Sequence, residues 1–195
     1  MGSWCGSVVT LLRFLRLFAA INLLAVAASA AITVAAYNVE NYTMADRMVD
    51  GVYRPAYPKP EKEKAALRNV IAGIQPDILA IEEMGTQSYL DDFRRELRQV
   101  GQDFPHAVVL KAADRDRHVA VLSKIPFKEV KRHAKVPITY FEQKDVMKRG
   151  VLEVIFATNE GDVSVFVVHL KSKRTERKGN SWLSATGTTP AAPGR

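Results

Sequence analysis

Apolar positions along this chain change period several times, and each change marks an element. Ile32-Thr33-Val34-Ala35-Ala36-Tyr37 is short, apolar and partly β-branched, and it ends in the polar cluster Asn38-Val39-Glu40-Asn41. This predicts a buried strand that delivers polar side chains at its C-terminal end. The stretch through Tyr53, Pro55, Tyr57, Pro58 and Pro60 holds too many prolines for regular structure and predicts a long loop over 46–60. Leu67, Val70, Ile71 and Ile74 then recur at i, i+3, i+4 and i+7, which predicts a helix over 61–73. Pro60 suits its first turn, and Glu61 and Glu63 complement the positive end of its dipole. After the break at Gln75-Pro76-Asp77, residues 78–81 form a second buried strand ending in Glu82-Glu83. Leu90, Phe93, Leu97 and Val100 share one face of a second helix over 88–100, with Ser88 and Asp91 as its cap and Gly101 as its stop.

Beyond this point strands dominate, over 106–111, 118–123 and 127–131. Residues 151–158 and 163–169 flank Asn159-Glu160-Gly161-Asp162, a four-residue hairpin loop with Gly and Asp where turns want them. Residues 179–195 are rich in Gly, Ser, Thr, Ala and Pro without periodicity and read as a disordered tail. There is no internal repeat. Strand, helix, strand and helix followed by a run of strands is the order of an α/β fold.

Composition is that of one globular domain: 195 residues, 47% hydrophobic and 25% charged. The opening segment stands apart. Arg13 and Arg16 are its only charges, and an apolar run over 17–28 leads to the small-x-small site Ala28-Ser29-Ala30. That layout is expected of a secretory signal peptide over 1–30; an uncleaved membrane anchor is the alternative. Cleavage would remove Cys5, the single cysteine, and with it any disulfide or cysteine-ligated zinc site. It would also remove Arg13 and Arg16, lowering the net charge from +7 to +5 (26 basic against 21 acidic residues). A cationic, exported chain fits a polyanionic substrate, and fits a merely soluble protein about as well.

Three polar residues share a context: Asn38, Glu83 and His169 each stand at or just past the end of a predicted apolar strand. A rigid sheet that fixes polar groups at an accessible rim is a common way to build a site. Taken singly, each has a bland reading: a turn-forming Asn, a solvated Glu, a strand-edge His. His106, His118 and His133 read as surface or strand-edge residues.

In order along the chain, Asn38-Val39-Glu40-Asn41, Pro76-Asp77-Ile78-Leu79-Ala80-Ile81-Glu82-Glu83, His118-Val119-Ala120-Val121-Leu122-Ser123-Lys124, Lys148-Arg149-Gly150-Val151-Leu152 and Val168-His169-Leu170-Lys171-Ser172 follow one another. This succession resembles the endonuclease/exonuclease/phosphatase superfamily, which includes deoxyribonucleases, abasic-site endonucleases, inositol-polyphosphate phosphatases and sphingomyelinases. The resemblance covers about 32–178 and implies a four-layer α/β/β/α sandwich of the deoxyribonuclease-like type. It also implies hydrolysis of phosphate esters by in-line attack of water with Mg²⁺ or Mn²⁺. Glu83 resembles the metal-binding glutamate, although Glu82 replaces the Gln that usually precedes it. Asn38 resembles the asparagine that orients the metal shell and the phosphate, and Glu40 falls where some members carry a second acidic residue near the metal. His169 is similar to the histidine whose N–H donors hold a non-bridging phosphate oxygen. Nucleic acid is the expected substrate, with a phosphomonoester or sphingomyelin the alternative. No obligate protein partner is expected, and a membrane enters only through the leader.

The family pattern continues with a Gly-Asp-x-Asn segment and an Asp-His pair whose His is the general base. Neither occurs here, and after Lys178 the sequence holds no Asp, Glu or His. The expectation is an incomplete sandwich with impaired or absent turnover, arising from a frameshift or premature stop, a naturally short form or a partial gene model. A non-catalytic exported binding module is the reading from another class. The basic run Lys171, Lys173, Arg174, Arg177 and Lys178 would neutralise phosphates or form a solvated face.

Overall fold

Residues 78–81 are apolar without alternation because their strand is covered on both sides. In the computed structural model, which describes residues 31–140, 142–170, 176–178 and 181–183, this strand is β4 (Ile78–Met84). Its Leu79 and Ile81 face one core cluster while Ile78 and Ala80 face another. The same alternation runs through β6 (His118–Ser123), where Ala120 and Leu122 oppose Val119 and Val121. Both strands belong to a four-stranded sheet of order β1-β4-β6-β5, with β1 at Val34–Tyr42 and β5 at His106–Leu110. β1 pairs with β4 in parallel, and the other pairs are antiparallel.

Two helices form the layer on one face: α1 (Glu61–Ile74) contributes Leu67 and Ile71, and α2 (Gln87–Gln99) contributes Leu90, Phe93 and Leu97. The parallel β1–β4 pair is connected through α1, as parallel pairing requires a crossover. On the other face lies a three-stranded antiparallel sheet of β7 (Glu129–His133), β10 (Val151–Thr158) and β11 (Gly161–Val168), in the order β11-β10-β7. Its Leu152, Val154, Phe156 and Val167 close the second core against the first sheet. The fold is therefore α/β in three layers: helices, mixed sheet, antiparallel sheet. The expected fourth layer has no helix among the described residues, and Phe166 on β11 is exposed. Neither described helix is long and apolar enough to cross a membrane.

Several expectations change. The stretch 46–60 is not a loop throughout but a hairpin of β2 (Ala45–Val49) and β3 (Val52–Tyr57), turning at Asp50-Gly51. Both turn residues have positive φ, 50° and 77°, the geometry that Asp-Gly favours in a two-residue hairpin. Pro55 is tolerated because the hairpin is a separate two-stranded ribbon, whose outer edges need no donor. The β10–β11 connection is tighter than four residues, since Thr158 pairs with Gly161. A second hairpin, β8 (Pro137–Tyr140) with β9 (Gln143–Val146), was not expected. His118 is not a surface residue: it is fully buried with the rest of β6. Within the expected tail, β13 (Ser181–Leu183) pairs with β12 (Glu176–Lys178). The leader over 1–30, the remainder of the tail and residues 171–175 lie outside the described residues.

Candidate active site

The parallel β1–β4 pair is regular from Val34↔Ile78 to Asn38↔Glu82 and then breaks, resuming at Tyr42↔Met84. Three residues of β1, Val39 to Asn41, thus face the single Glu83. β4 is irregular on its other side too, between Ile81 and Met84 against β6. The backbone pays for this double bulge with left-handed conformations at Glu40 (φ 48°), Asn41 (55°) and Glu83 (60°). Asn tolerates this region, but each glutamate is held there at a cost of about 1–2 kcal/mol. Such strain persists only where neighbours fix it.

Main-chain hydrogen bonds and two basic side chains supply those neighbours. The Asn41 N–H donates to Glu83 Oε2 at 3.1 Å, and the Glu40 N–H donates to Asn38 Oδ1 at 2.8 Å. Buried Lys59 donates to the Glu40 carbonyl at 3.2 Å and to Glu63 at 2.8 Å. Arg47 donates to the carbonyls of Asn41 and Thr43. The hairpin segment and α1 therefore clamp the bulge from outside. Gly85 follows directly, where a Cβ would come within 2.8 Å of the Tyr42 carbonyl oxygen; only glycine allows β4 to leave so close to β1.

His169 follows the last residue of β11 and brings the other sheet to this point. Its Nε2 lies 3.7 Å from Glu83 Oε1 and its Nδ1 lies 3.8 Å from Glu82 Oε2. The ring is largely buried, 16% exposed, as is Glu83. Neither contact closes to a hydrogen bond, and His169 Nδ1 is a buried polar atom without a partner.

Each expected residue can now be placed. Glu83 and His169 come together, 86 positions apart in sequence. Asn38 lies beside Glu82 across the strand pair and is exposed. Glu40 is exposed, and the bonds described above come from its main chain rather than its carboxylate. Glu82 and Glu83 both reach the histidine, one at each nitrogen, so the position that departs from the family pattern is part of the cluster. Among the described residues no group of three or more His, Cys, Asp or Glu side chains is arranged to hold a metal ion by itself. The oxygen donors present are carboxylates and the Asn38 amide, with the His169 imidazole beside them. The oxygen donors suit a hard cation held by one or two carboxylates with water completing its shell.

Beside His169 opens a cavity of about 380 Å³ that reaches Asp114, Arg117, Ile138, Lys148, Arg149 and Leu170. Asp114 organises its floor: Arg149 Nε donates to it at 3.0 Å, and the N–H groups of Asp116 and Arg117 donate at 3.1 Å. Burial opposes ionisation of Asp114, but those two main-chain donors and the two arginines outweigh it and hold the carboxyl below its ordinary value. The sequence signal for this wall was Lys148-Arg149-Gly150. Gly150 has φ 64°, and a Cβ there would meet the His133 carbonyl oxygen at 2.6 Å.

The chain is similar to a solved endonuclease/exonuclease/phosphatase family protein from Leptotrichia buccalis C-1013-b, at 12% sequence identity and a TM-score of 0.48, covering 72% of this chain and 54% of that one. The chain spans about half the length of that structure. No family model matches it, and neither does any curated protein.

Proposed function

We propose that this protein is a metal-dependent phosphoesterase whose substrate is a phosphodiester, nucleic acid foremost. The observation that carries the reading is the convergence of His169 with Glu83 and Glu82 on a strained, clamped double bulge. A structural ion pair does not need left-handed glutamates; a site that must aim a carboxylate does. The five motifs in family order supply the reaction class.

In this reading Glu83 holds Mg²⁺ or Mn²⁺, with Asn38 and Glu40 near the remaining coordination positions. The cation, when bound, supplies Lewis acidity at the phosphoryl oxygen. His169 donates an N–H to a non-bridging oxygen and stabilises charge as it develops. Glu82 stands 3.8 Å from the other ring nitrogen. Lys59 and Arg47 keep the bulge from relaxing. These residues bind and polarise phosphate; deprotonation of the attacking water is assigned to none of them, so turnover is expected to be slow. Residues 1–30 are read as an export leader, which puts the protein outside the cytoplasm.

Nicking of supercoiled plasmid by the purified chain, with and without Mg²⁺, tests this. Metal-dependent nicking lost in Glu83→Ala supports the reading. Mg²⁺-dependent phosphate binding without nicking moves the protein to the binding-module class, and no metal or phosphate binding at all overturns the site.

A further inference from the structure

The cavity beside His169 has two unlike walls. One carries Arg117, Lys148 and Arg149 against the carboxylates of Asp114 and Asp145, three cations facing two anions. Arg149 pairs with Asp114, both being nearly buried, whereas Arg117 and Lys148 are 43% and 61% exposed, Arg117 reaching the same Asp114 at 3.5 Å and Lys148 reaching Asp145 at 3.0 Å. The other wall is aliphatic: Ile138, Val146, Met147 and Leu170. Ile138 and Leu170 are 38% and 68% exposed, so apolar surface faces water here at the mouth of a charged cleft.

We propose that this cavity is a specificity pocket for phosphate esters whose organic group is compact, uncharged and apolar. The phosphate lies at Arg117, Lys148 and His169, and the esterified group covers Ile138 and Leu170. The proposal rests on His169 being a phosphate donor, as argued above. Three observations converge on it. The net positive wall attracts a phosphate, and guanidinium and ammonium donors pair well with its oxygens. The volume of about 380 Å³ falls within the ~300–1,000 Å³ typical of small-ligand pockets. His169 lines this cavity and also stands against the carboxylate pair, 3.7 Å from Glu83 and 3.8 Å from Glu82. Inorganic phosphate alone would leave the aliphatic wall wet, and an apolar group without phosphate would leave the net positive charge of the other wall unanswered.

The test measures binding, not turnover, by titrating the full chain in the absence of divalent metal with inorganic phosphate, glycerol phosphate and phenyl phosphate. Phenyl phosphate is expected to bind about tenfold more tightly than the other two, since its ring removes the aliphatic wall from water. Leu170→Asp is expected to erase that preference while leaving inorganic phosphate binding within about threefold or weaker through added negative charge. Leu170→Ser removes the apolar surface without the charge and must also erase the preference; the high exposure of Leu170 makes misfolding an unsuitable explanation. Lys148→Gln is expected to weaken all three ligands alike. Thymidine monophosphate and hexyl phosphate distinguish a nucleotide from a lipid-like source, and binding of either above glycerol phosphate supports the pocket. Equal affinity for phenyl and inorganic phosphate, or a preference that survives Leu170→Ser, overturns it. Failure of the phosphate-donor reading is seen separately: His169→Gln then leaves every affinity unchanged while the preference for phenyl phosphate remains.

Discussion

His169 Nε2 and Glu83 Oε1 stand 3.7 Å apart, one just past an edge strand of the antiparallel sheet and the other on an inner strand of the mixed sheet. Only the packing of the two sheets through Leu152, Val154, Phe156 and Val167 makes them neighbours. The site therefore depends on the second core as much as on its own side chains. His169→Gln is expected to lower the rate of any Mg²⁺-dependent cleavage by about 10²-fold, the usual loss for one charge-stabilising donor. The check is single-turnover kinetics beside a circular-dichroism melt that remains near the parent.

The left-handed conformation of Glu83 separates strain from chemistry. Glu83→Ala and Glu83→Gly both remove the carboxylate, but glycine accepts φ 60° without the ~1–2 kcal/mol penalty. Glu83→Gly is expected to be at least as stable as Glu83→Ala by urea denaturation, with both lacking metal-dependent stabilisation.

Gly150→Ala is expected to destabilise the protein by roughly 1–3 kcal/mol, because a Cβ would strike the His133 carbonyl oxygen at 2.6 Å and φ is 64°. The midpoint of urea unfolding reads this directly. Gly51→Ala is the control: it also has positive φ but open space around it, so its cost is smaller.

Glu96 gathers three donors, Tyr42, Lys64 and Arg68, between the two helices and β1. Burial, and then Glu96, pushes the Tyr42 hydroxyl well above its ordinary value, so it remains a neutral donor. Glu96→Ala leaves that buried hydroxyl without its acceptor, while Lys64 and Arg68 keep Glu61, and is expected to cost about 1–3 kcal/mol. Tyr42→Phe in the same background restores part of the loss, which a double-mutant cycle measures.

Asp114 predicts an acid dependence. Its folded value lies below the ordinary 3.8, so its contribution to stability is present above that value and is lost as pH falls through the lowered folded value. Asp114→Asn is expected to be less stable at pH 6 and to lose less on acidification below about pH 4. Parallel slopes for variant and parent contradict the assignment.

How much of this was legible in the sequence depended on whether the signal was local. Helical spacing at Leu67, Ile71, Leu90, Phe93 and Leu97 located both helices to within one or two residues, because those side chains form the core itself. The prolines around 55–60 masked the β2–β3 hairpin, although Asp50-Gly51 was a usable turn signal. His118 was misjudged because β6 is covered on both faces, a tertiary fact that polarity alone does not reveal. Glu83 and His169 were legible as strand-end residues, but their pairing was not. The clamp by Lys59 and Arg47, the share of Glu82 in the cluster and the cavity over Leu170 arise from contacts distant in sequence.

The central claim is that Glu83 and His169 form one metal- and phosphate-binding site, and Mn²⁺ titration followed by NMR of the histidine ring signals tests it most directly. Mn²⁺ is expected to broaden the His169 ring signals at substoichiometric concentration while sparing His106, to do so more strongly with phosphate present, and to have no such effect in Glu83→Ala. Uniform broadening of all four histidines, or broadening of His169 that persists in Glu83→Ala, contradicts the account.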